Sequence, residues 1–124
     1  MPLSKSDVHV TPDRVFETIE EHWGYKKEEM FDPCPVNPSF DGLQIKWKDI
    51  NFVNPPYTRL KEFVYKAILE ANVGKKTIVL LPSKTDQAWF HRIKKLPIVW
   101  FEKRLKFKNN QWSAPQPHFL VMIK

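Results

Sequence analysis

The chain has 124 residues, 42% of them hydrophobic, which predicts one domain over residues 1–124 with a real core. Lys and Arg outnumber Asp and Glu by 20 to 14, and this net charge of +6 favours a polyanionic partner. A single cysteine excludes an internal disulfide, and neither a membrane helix of roughly 18 apolar residues nor a signal-peptide centre is visible, so we expect a cytoplasmic protein without a membrane partner.

The first third of the chain predicts one helix and one short strand. Thr11 is a good N-cap, and Pro12 fits the first position of a helix whose apolar residues recur at helical spacing as far as Gly24. Residues 29–31 are then expected to form a short strand. That strand would end at the proline-stiffened turn 32–35.

The middle of the chain predicts a connection, a strand and a second helix. Residues 36–49 are rich in proline, asparagine and aspartate, which favours a compact connection with little regular structure. Ile50–Val53 is the next predicted strand. From Leu60 onward, apolar residues recur at i, i+3, i+4 and i+7, which indicates one face of a helix that ends at Gly74.

The next segment predicts a strand, a helix and another strand. The continuous apolar run 77–81, closed by Pro82, is typical of a strand covered on both faces in a parallel sheet. Thr85 or Asp86 is expected to cap a third helix, and 97–101 is a further predicted strand.

The C-terminal region predicts an antiparallel hairpin. Residues 104–107 and 118–123 have strand-like apolar patterns, and they are expected to pair around the polar turn 109–110. Alternation of helices with apolar strands then favours an α/β domain of three layers, with a mostly parallel sheet.

Asn54-Pro55-Pro56-Tyr57 is the motif with the clearest chemistry. It follows a predicted strand and precedes a helix, at the kind of turn where open α/β sheets place their ligands. An exocyclic amine on a flat base is a poor nucleophile because its lone pair is delocalised. Hydrogen bonds to the Asn54 side-chain carbonyl and the Pro55 backbone carbonyl would localise that pair, while Tyr57 stacks on the base. The motif predicts methylation of a planar amine by positioning, with no metal, although Asn-Pro-Pro is also ordinary turn chemistry.

In addition to this motif, two further residues are candidates for the donor site. Asp32, at the end of the neighbouring strand, is expected to accept hydrogen bonds from the α-amino group or ribose of S-adenosylmethionine. Cys34 invites comparison with the Pro-Cys nucleophile of cytosine C5-methyltransferases, but Pro35 follows it and a thiolate needs activation. We therefore interpret Cys34 as packing or as lining of the donor site. The four histidines have no metal-ligand spacing.

Cations and aromatics alternate in the last third of the chain, which suits phosphate contacts and base stacking. Each of these residues taken alone fits a solvated face over core aromatics better. The candidate phosphate contacts along the chain are Arg59, Lys61, Lys84, Arg92, Lys103, Arg104 and Lys106.

The ordered series of motifs resembles the phage-type Dam family of DNA adenine N6-methyltransferases. The matching segments are Thr11-Pro12, Asp32-Pro33-Cys34-Pro35 with Asn37, Asp41-Gly42-Leu43 with Trp47, Asn54-Pro55-Pro56-Tyr57, Leu80-Leu81-Pro82 with Asp86 and Trp89-Phe90, and Arg104-Leu105 with Phe107 and Ala114-Pro115. The resemblance implies a compact, truncated Rossmann-like fold, DNA as partner and the host cytoplasm if the source is viral. It also implies S-adenosylmethionine as donor, held by Thr11, Pro12, Asp32, Pro33, Cys34, Asn37 and Asn54.

The chain departs from a complete methyltransferase in several ways. It has no glycine-rich loop, and only 22 positions separate Asp32 from Asn54, where two more strands and helices would usually fit. Asp41 and Asp49 are candidates for the ribose hydroxyls. Because no separate target-recognition domain is visible, sequence specificity is expected to be low or to come from a homodimer or another subunit. The alternatives are a non-catalytic nucleic-acid-binding module, a structural subunit, and the same chemistry on RNA or on a protein glutamine amide.

Overall fold

The computed structural model describes residues 10–36, 38–109 and 113–124. Predictions that involve Asn37 or Asn110 lie outside these residues. The described chain forms three helices and four strands, in the order α1 (Asp13–Trp23), β1 (Ile50–Val53), α2 (Leu60–Ala71), β2 (Lys76–Pro82), α3 (Ala88–Ile93), β3 (Ile98–Trp100) and β4 (His118–Ile123). Short 3₁₀ helices occupy Lys27–Glu29 and Tyr57–Arg59.

The four strands form one mixed sheet in the order β1-β2-β4-β3. β1 and β2 are parallel, whereas β4 runs antiparallel to both β2 and β3. The α/β class is thus confirmed, but the prediction of a mostly parallel sheet is wrong. The reason is that no helix in the described part of the connection 101–117 returns the chain to the opposite edge, so β4 begins at the edge where β3 ends.

Each face of the sheet is covered by a different set of elements. In β2, Val79 and Leu81 face the core under α2 and α3, whereas Ile78 and Leu80 face the core under α1. The connection that follows β3 packs on the α1 side through Phe101 and other buried side chains. Because strand side chains alternate between faces, this arrangement produces the three predicted layers.

The predicted C-terminal hairpin is wrong, because residues 104–107 form no strand. Both edges of β4 are already occupied, one by β2 and the other by β3. The alternation that suggested a strand has another cause: Leu105 and Phe107 are buried against the α1 side, while Arg104 and Lys106 are exposed. The alternation of apolar and charged residues therefore indicates a connection that packs its apolar side chains against the core on the α1 side of the sheet.

The strand predicted at 29–31 is reduced to one bridging residue. Glu29 belongs to the 3₁₀ helix, and its carboxylate accepts a hydrogen bond from the Lys26 amide at 2.9 Å. Only Phe31 joins the sheet, as an isolated parallel bridge to Asn51. That bridge still sets Asp32 beside the carboxyl end of β1.

The predicted end of α1 is right, but the predicted end of α2 at Gly74 is wrong, because α2 ends at Ala71 with Asn72 as its C-cap. The predicted N-caps are wrong as well. Gly24 ends α1 in the left-handed conformation with a φ of 77°, as expected. At the start of α1, Pro12 holds the N-cap position, and the Thr11 side chain bonds elsewhere. Neither Thr85 nor Asp86 caps α3, since the residue before that helix is Gln87, which makes no side-chain cap bond.

Candidate active site

The turn 54–57 lies at the carboxyl edge of the sheet, where three strands end and β4 begins. The register sets Pro82, the last residue of β2, opposite His118, the first residue of β4. Pro55 and Pro56 are buried, whereas the side chains on either side of them are half-buried. The prolines thus pack the turn against the protein and present Asn54 and Tyr57 at its rim.

Asn54 is held from the side of α1. Its Nδ2 donates a hydrogen bond to the Thr11 Oγ1 at 2.9 Å. The segment before α1 is itself held by the connection after β3, because the Lys108 amide donates to the Val10 carbonyl at 3.0 Å. Two segments predicted from the sequence, Thr11-Pro12 and the turn at Asn54, therefore meet although 43 positions separate Thr11 from Asn54.

Tyr57 is held from the other side, by β4. Its hydroxyl lies 3.1 Å from the Nε2 of His118, a residue that is 1% exposed. The two rings stack with centroids 6.1 Å apart and planes 29° from parallel. Burial raises the pKa of the Tyr57 phenol to about 12, so the hydroxyl keeps its proton at neutral pH.

His118 is the site residue that the sequence interpretation missed. The histidines were considered only as metal ligands, and their spacing does not identify a residue whose side chain contacts a tyrosine. A usable signal was its position: it is the only polar residue in the six-residue strand His118–Ile123, directly after Pro117. A polar ring at the start of an apolar strand, when buried, requires a hydrogen-bond partner.

Asp32 lies beside the end of β1, as predicted. The Phe31 amide donates to the Ile50 carbonyl at 3.0 Å, and the Phe31 carbonyl accepts from Phe52 at 2.9 Å. Asp32 is open to solvent, yet desolvation by the surrounding protein raises the pKa of its carboxyl. The Cys34 amide, which donates to Asp32 Oδ1 at 2.8 Å, and the charge of Lys27 oppose that rise.

Cys34 has the properties of a packing residue. It is half-buried against the core under α2. Burial raises the pKa of its thiol to about 12, and the nearby carboxylates of Asp32 and Asp41 act in the same direction, against Arg59. A thiol in this state stays protonated at neutral pH and is a poor nucleophile.

A close contact explains why a glycine occupies position 42. A Cβ at Gly42 would lie 1.8 Å from the carbonyl oxygen of Pro33, so only glycine lets this loop cross the Asp32 turn. The Gly42 carbonyl in turn accepts a hydrogen bond from the buried indole of Trp47 at 2.8 Å. The described residues of the connection 36–49 are irregular, as predicted, but the contact between Gly42 and the Asp32 turn is tightly specified.

The two aspartates proposed for the ribose lie in different places. Asp41 is 3.6 Å from the Arg59 guanidinium, and its Oδ1 accepts from the Leu43 amide at 3.0 Å. Asp49 precedes β1 and therefore lies at the amino edge, away from Asn54. Of the two, Asp41 lies in the loop that crosses the Asp32 turn.

The candidate phosphate contacts do not form one continuous patch. Lys103, Arg104 and Lys106 are exposed on the connection after β3, above its buried Phe101, Leu105 and Phe107. The other four lie on or beside α2 and α3. Lys61 is exposed and Lys84 is half-buried. The Arg59 guanidinium also pairs with Glu62 at 3.6 Å, and the Arg92 guanidinium lies 5.4 Å from the centre of the Tyr65 ring.

A family model described as DNA N-6-adenine-methyltransferase (Dam) matches residues 1–118. The match confirms the predicted resemblance, and it covers every residue of the site described above. No curated protein and no solved structure matches the chain. Within the described residues, no helix is long and apolar enough to span a bilayer, and no three metal-ligating side chains cluster.

Proposed function

Because the chain belongs to the DNA N-6-adenine-methyltransferase (Dam) family, we propose that it transfers a methyl group from S-adenosylmethionine to the exocyclic N6 amine of adenine in DNA. Family membership supports a DNA methyltransferase in general. The observation that carries the finer proposal is the turn at the sheet edge, where Asn54 is anchored to Thr11 and Tyr57 to His118. We propose a truncated Rossmann-like fold as its scaffold.

The proposed chemistry depends on orienting one amine. The Asn54 side-chain carbonyl and the Pro55 backbone carbonyl would accept the two amino hydrogens and draw the nitrogen lone pair out of conjugation. Tyr57 would stack on the adenine and fix its plane, and Pro56 would stiffen the turn between them. The nitrogen would then lie in line with the donor methyl group, so that the N–C bond would form as the methyl–sulfonium bond breaks; S-adenosylhomocysteine would leave, and the methylated amine would release its extra proton to water. No metal is required.

The residues at this edge fit the proposed methyl donor. S-adenosylmethionine, when bound, supplies an electrophilic methyl group on a sulfonium. Asp32 carries a carboxylate beside the end of β1, and such a group can accept hydrogen bonds from the amino group or the ribose hydroxyls of the donor. Its proposed role is binding and does not include proton abstraction. The remaining proposed donor contacts are Thr11, Pro12, Pro33, Cys34 and Asn54, together with Asn37, which lies outside the described residues.

DNA would reach this edge along the connection after β3. Its cations Lys103, Arg104 and Lys106 are exposed and begin three residues after β3 ends at the same edge. The adenine would be extruded from a duplex or taken from a single strand, since its amine is otherwise paired. We propose that sequence specificity comes from a homodimer or another subunit, and that the protein acts in the cytoplasm, the host's if viral.

The test is incubation with tritiated donor and a panel of DNA, RNA and protein substrates. The proposal predicts label in DNA, recovered as N6-methyladenine after digestion, and measurable heat when the donor is titrated into the protein. Label in RNA or in a glutamine amide would instead support the alternative substrates. DNA binding with neither donor binding nor label would favour a non-catalytic nucleic-acid-binding module.

A further inference from the structure

We propose that His118 is a positioning residue for methyl transfer, and that it acts by fixing the orientation of the Tyr57 ring. This inference rests on the proposed function, because it takes Tyr57 to be the residue that stacks on the target base. It adds a role for a residue outside the Asn54–Tyr57 turn. It also assigns a purpose to the buried polar group at the start of β4.

The contacts around His118 bind its ring on several sides. Its Nε2 lies 3.1 Å from the Tyr57 hydroxyl, and its Nδ1 lies 3.2 Å from the Gln116 carbonyl oxygen. The Phe107 ring meets it edge to face, with centroids 5.5 Å apart. At 1% exposure the imidazole has almost no access to water, so both nitrogens depend on protein partners.

The Gln116 carbonyl determines which way the Tyr57 hydrogen bond runs. A carbonyl oxygen can only accept, so Nδ1 of His118 carries a proton; in the neutral imidazole, which this inference requires, it is the only proton on the ring nitrogens. Nε2 is then the acceptor of that ring, and the Tyr57 hydroxyl donates to it. The elevated pKa of Tyr57 agrees with this direction, because the phenol retains the proton that it donates.

This bond completes a two-sided anchor on the turn. Asn54 is fixed by Thr11, which precedes α1, and Tyr57 is fixed by His118, which begins β4. The amide and the ring therefore take their orientation from two different elements, with buried prolines between them. Without an acceptor at position 118, the ring would lose this hydrogen-bond constraint on its orientation, and the base would bind in more than one pose.

The experiment compares four variants in steady-state kinetics on DNA. His118→Phe keeps an aromatic ring but removes the acceptor, Tyr57→Phe keeps the stacking ring but removes the donor, and the double variant removes both. His118→Gln restores an acceptor oxygen. His22→Phe is the matched control, since His22 is exposed about 15 Å along α1 from the site end of that helix.

We expect His118→Phe and Tyr57→Phe each to lower kcat/KM for DNA roughly five- to tenfold, with the double variant no worse than either. His118→Gln should recover most of the loss, and donor affinity should stay unchanged throughout. Wild-type kinetics in His118→Phe, or losses that multiply in the double variant, would overturn the inference.

Nitrogen NMR of the wild-type protein tests the anchor without any activity and without a variant that has to fold. Nδ1 of His118 should be protonated and Nε2 unprotonated at neutral pH. A protonated Nε2 would overturn the inference whatever the kinetics. A wild-type chain that transfers no methyl group would refute the proposed function, and the catalytic half of this inference with it, while the NMR result decides the anchor separately.

Discussion

The two asparagines at the two ends of β1 have the same side chain and opposite surroundings. Asn51 is fully buried, and its amide accepts from the Lys48 amide at 2.9 Å and donates to the Lys48 and Lys76 carbonyls at 3.0 Å. Asn54 is half-buried and donates to a threonine side chain from a distant part of the chain. A buried asparagine bonded mainly to backbone has a structural role, whereas the asparagine at the accessible rim is the one to which we assign the proposed chemistry.

The same contrast extends along both edges of the sheet. At the amino edge, polar side chains bond mainly to backbone: Lys75 Nζ, for example, donates to the Trp47 carbonyl at 2.7 Å, and the Asn51 amide adds one longer contact, 3.4 Å, to Thr77 Oγ1. At the carboxyl edge, side chains from separate elements meet one another, as Tyr57 meets His118. Because β1 and β2 are parallel and end at one edge, that edge collects side chains from distant parts of the sequence.

The largest expected effect is that of Asn54→Ala on catalysis. Loss of the acceptor should lower methyl transfer by a factor of about 100 or more, because it acts on charge that develops at the reacting nitrogen. Donor affinity should fall far less than transfer, because Asn54 is one of several proposed donor contacts, and the lost Thr11 bond should lower the free energy of unfolding by about 1 kcal/mol. Tritium transfer, donor calorimetry and urea unfolding measure the three. Activity equal to wild type would remove the motif from the mechanism.

Asn51→Ala should produce the reverse pattern. Two part-buried backbone carbonyls and one part-buried amide lose their partner, so the free energy of unfolding should fall by about 2–4 kcal/mol. Activity per folded molecule, measured well below the melting temperature, should remain near wild type. If Asn51→Ala lost activity while its urea unfolding midpoint stayed in place, the contrast between the two asparagines would fail.

Local patterns in the sequence were sufficient for the elements that contain the site. Helical spacing and Gly24 predicted α1, and the apolar runs predicted β1 and β2 to within about two residues. The turn 54–57 followed from its position between a strand and a helix. These features depend on residues close together in the chain, which is why a single sequence reveals them.

Features that depend on distant partners were not predictable in this way. The direction of β4 depends on which edge the chain reaches after a long connection, and nothing within residues 118–123 encodes that. Threonine is a favourable N-cap residue, but the hydroxyl of Thr11 accepts a hydrogen bond from the Asn54 side chain instead of capping α1. His118 reaches the edge where Tyr57 lies because its register partner is Pro82, the last residue of β2.

A smaller effect is expected when the donor contact is removed. Asp32→Ala should weaken donor binding roughly tenfold, as for one lost charge-assisted hydrogen bond. Asp49→Ala is the matched control, because it removes an exposed carboxylate at the opposite edge of the sheet and should leave affinity unchanged. Calorimetry measures both. Unchanged affinity in Asp32→Ala would mean that the donor sits elsewhere.

The pH dependence of donor binding sharpens that test. The pKa of Asp32 is raised, mainly by desolvation, so its carboxylate is lost at a higher pH than that of an ordinary aspartate. Wild-type affinity should therefore fall as pH decreases through that raised value. Asp32→Asn, which has no proton to gain, should lack this step in the same titration.

The smallest effect is expected for Cys34→Ala. With a thiol pKa of about 12, only about one molecule in ten thousand carries the thiolate at pH 8. Attack of a thiolate on a ring carbon of the base is not part of the proposed chemistry. Methyl transfer should stay within about twofold of wild type, with slightly lower stability from the lost packing. Loss of transfer with donor binding intact would make Cys34 a nucleophile. The target would then be a cytosine carbon, and Asn54 would lose its assigned role.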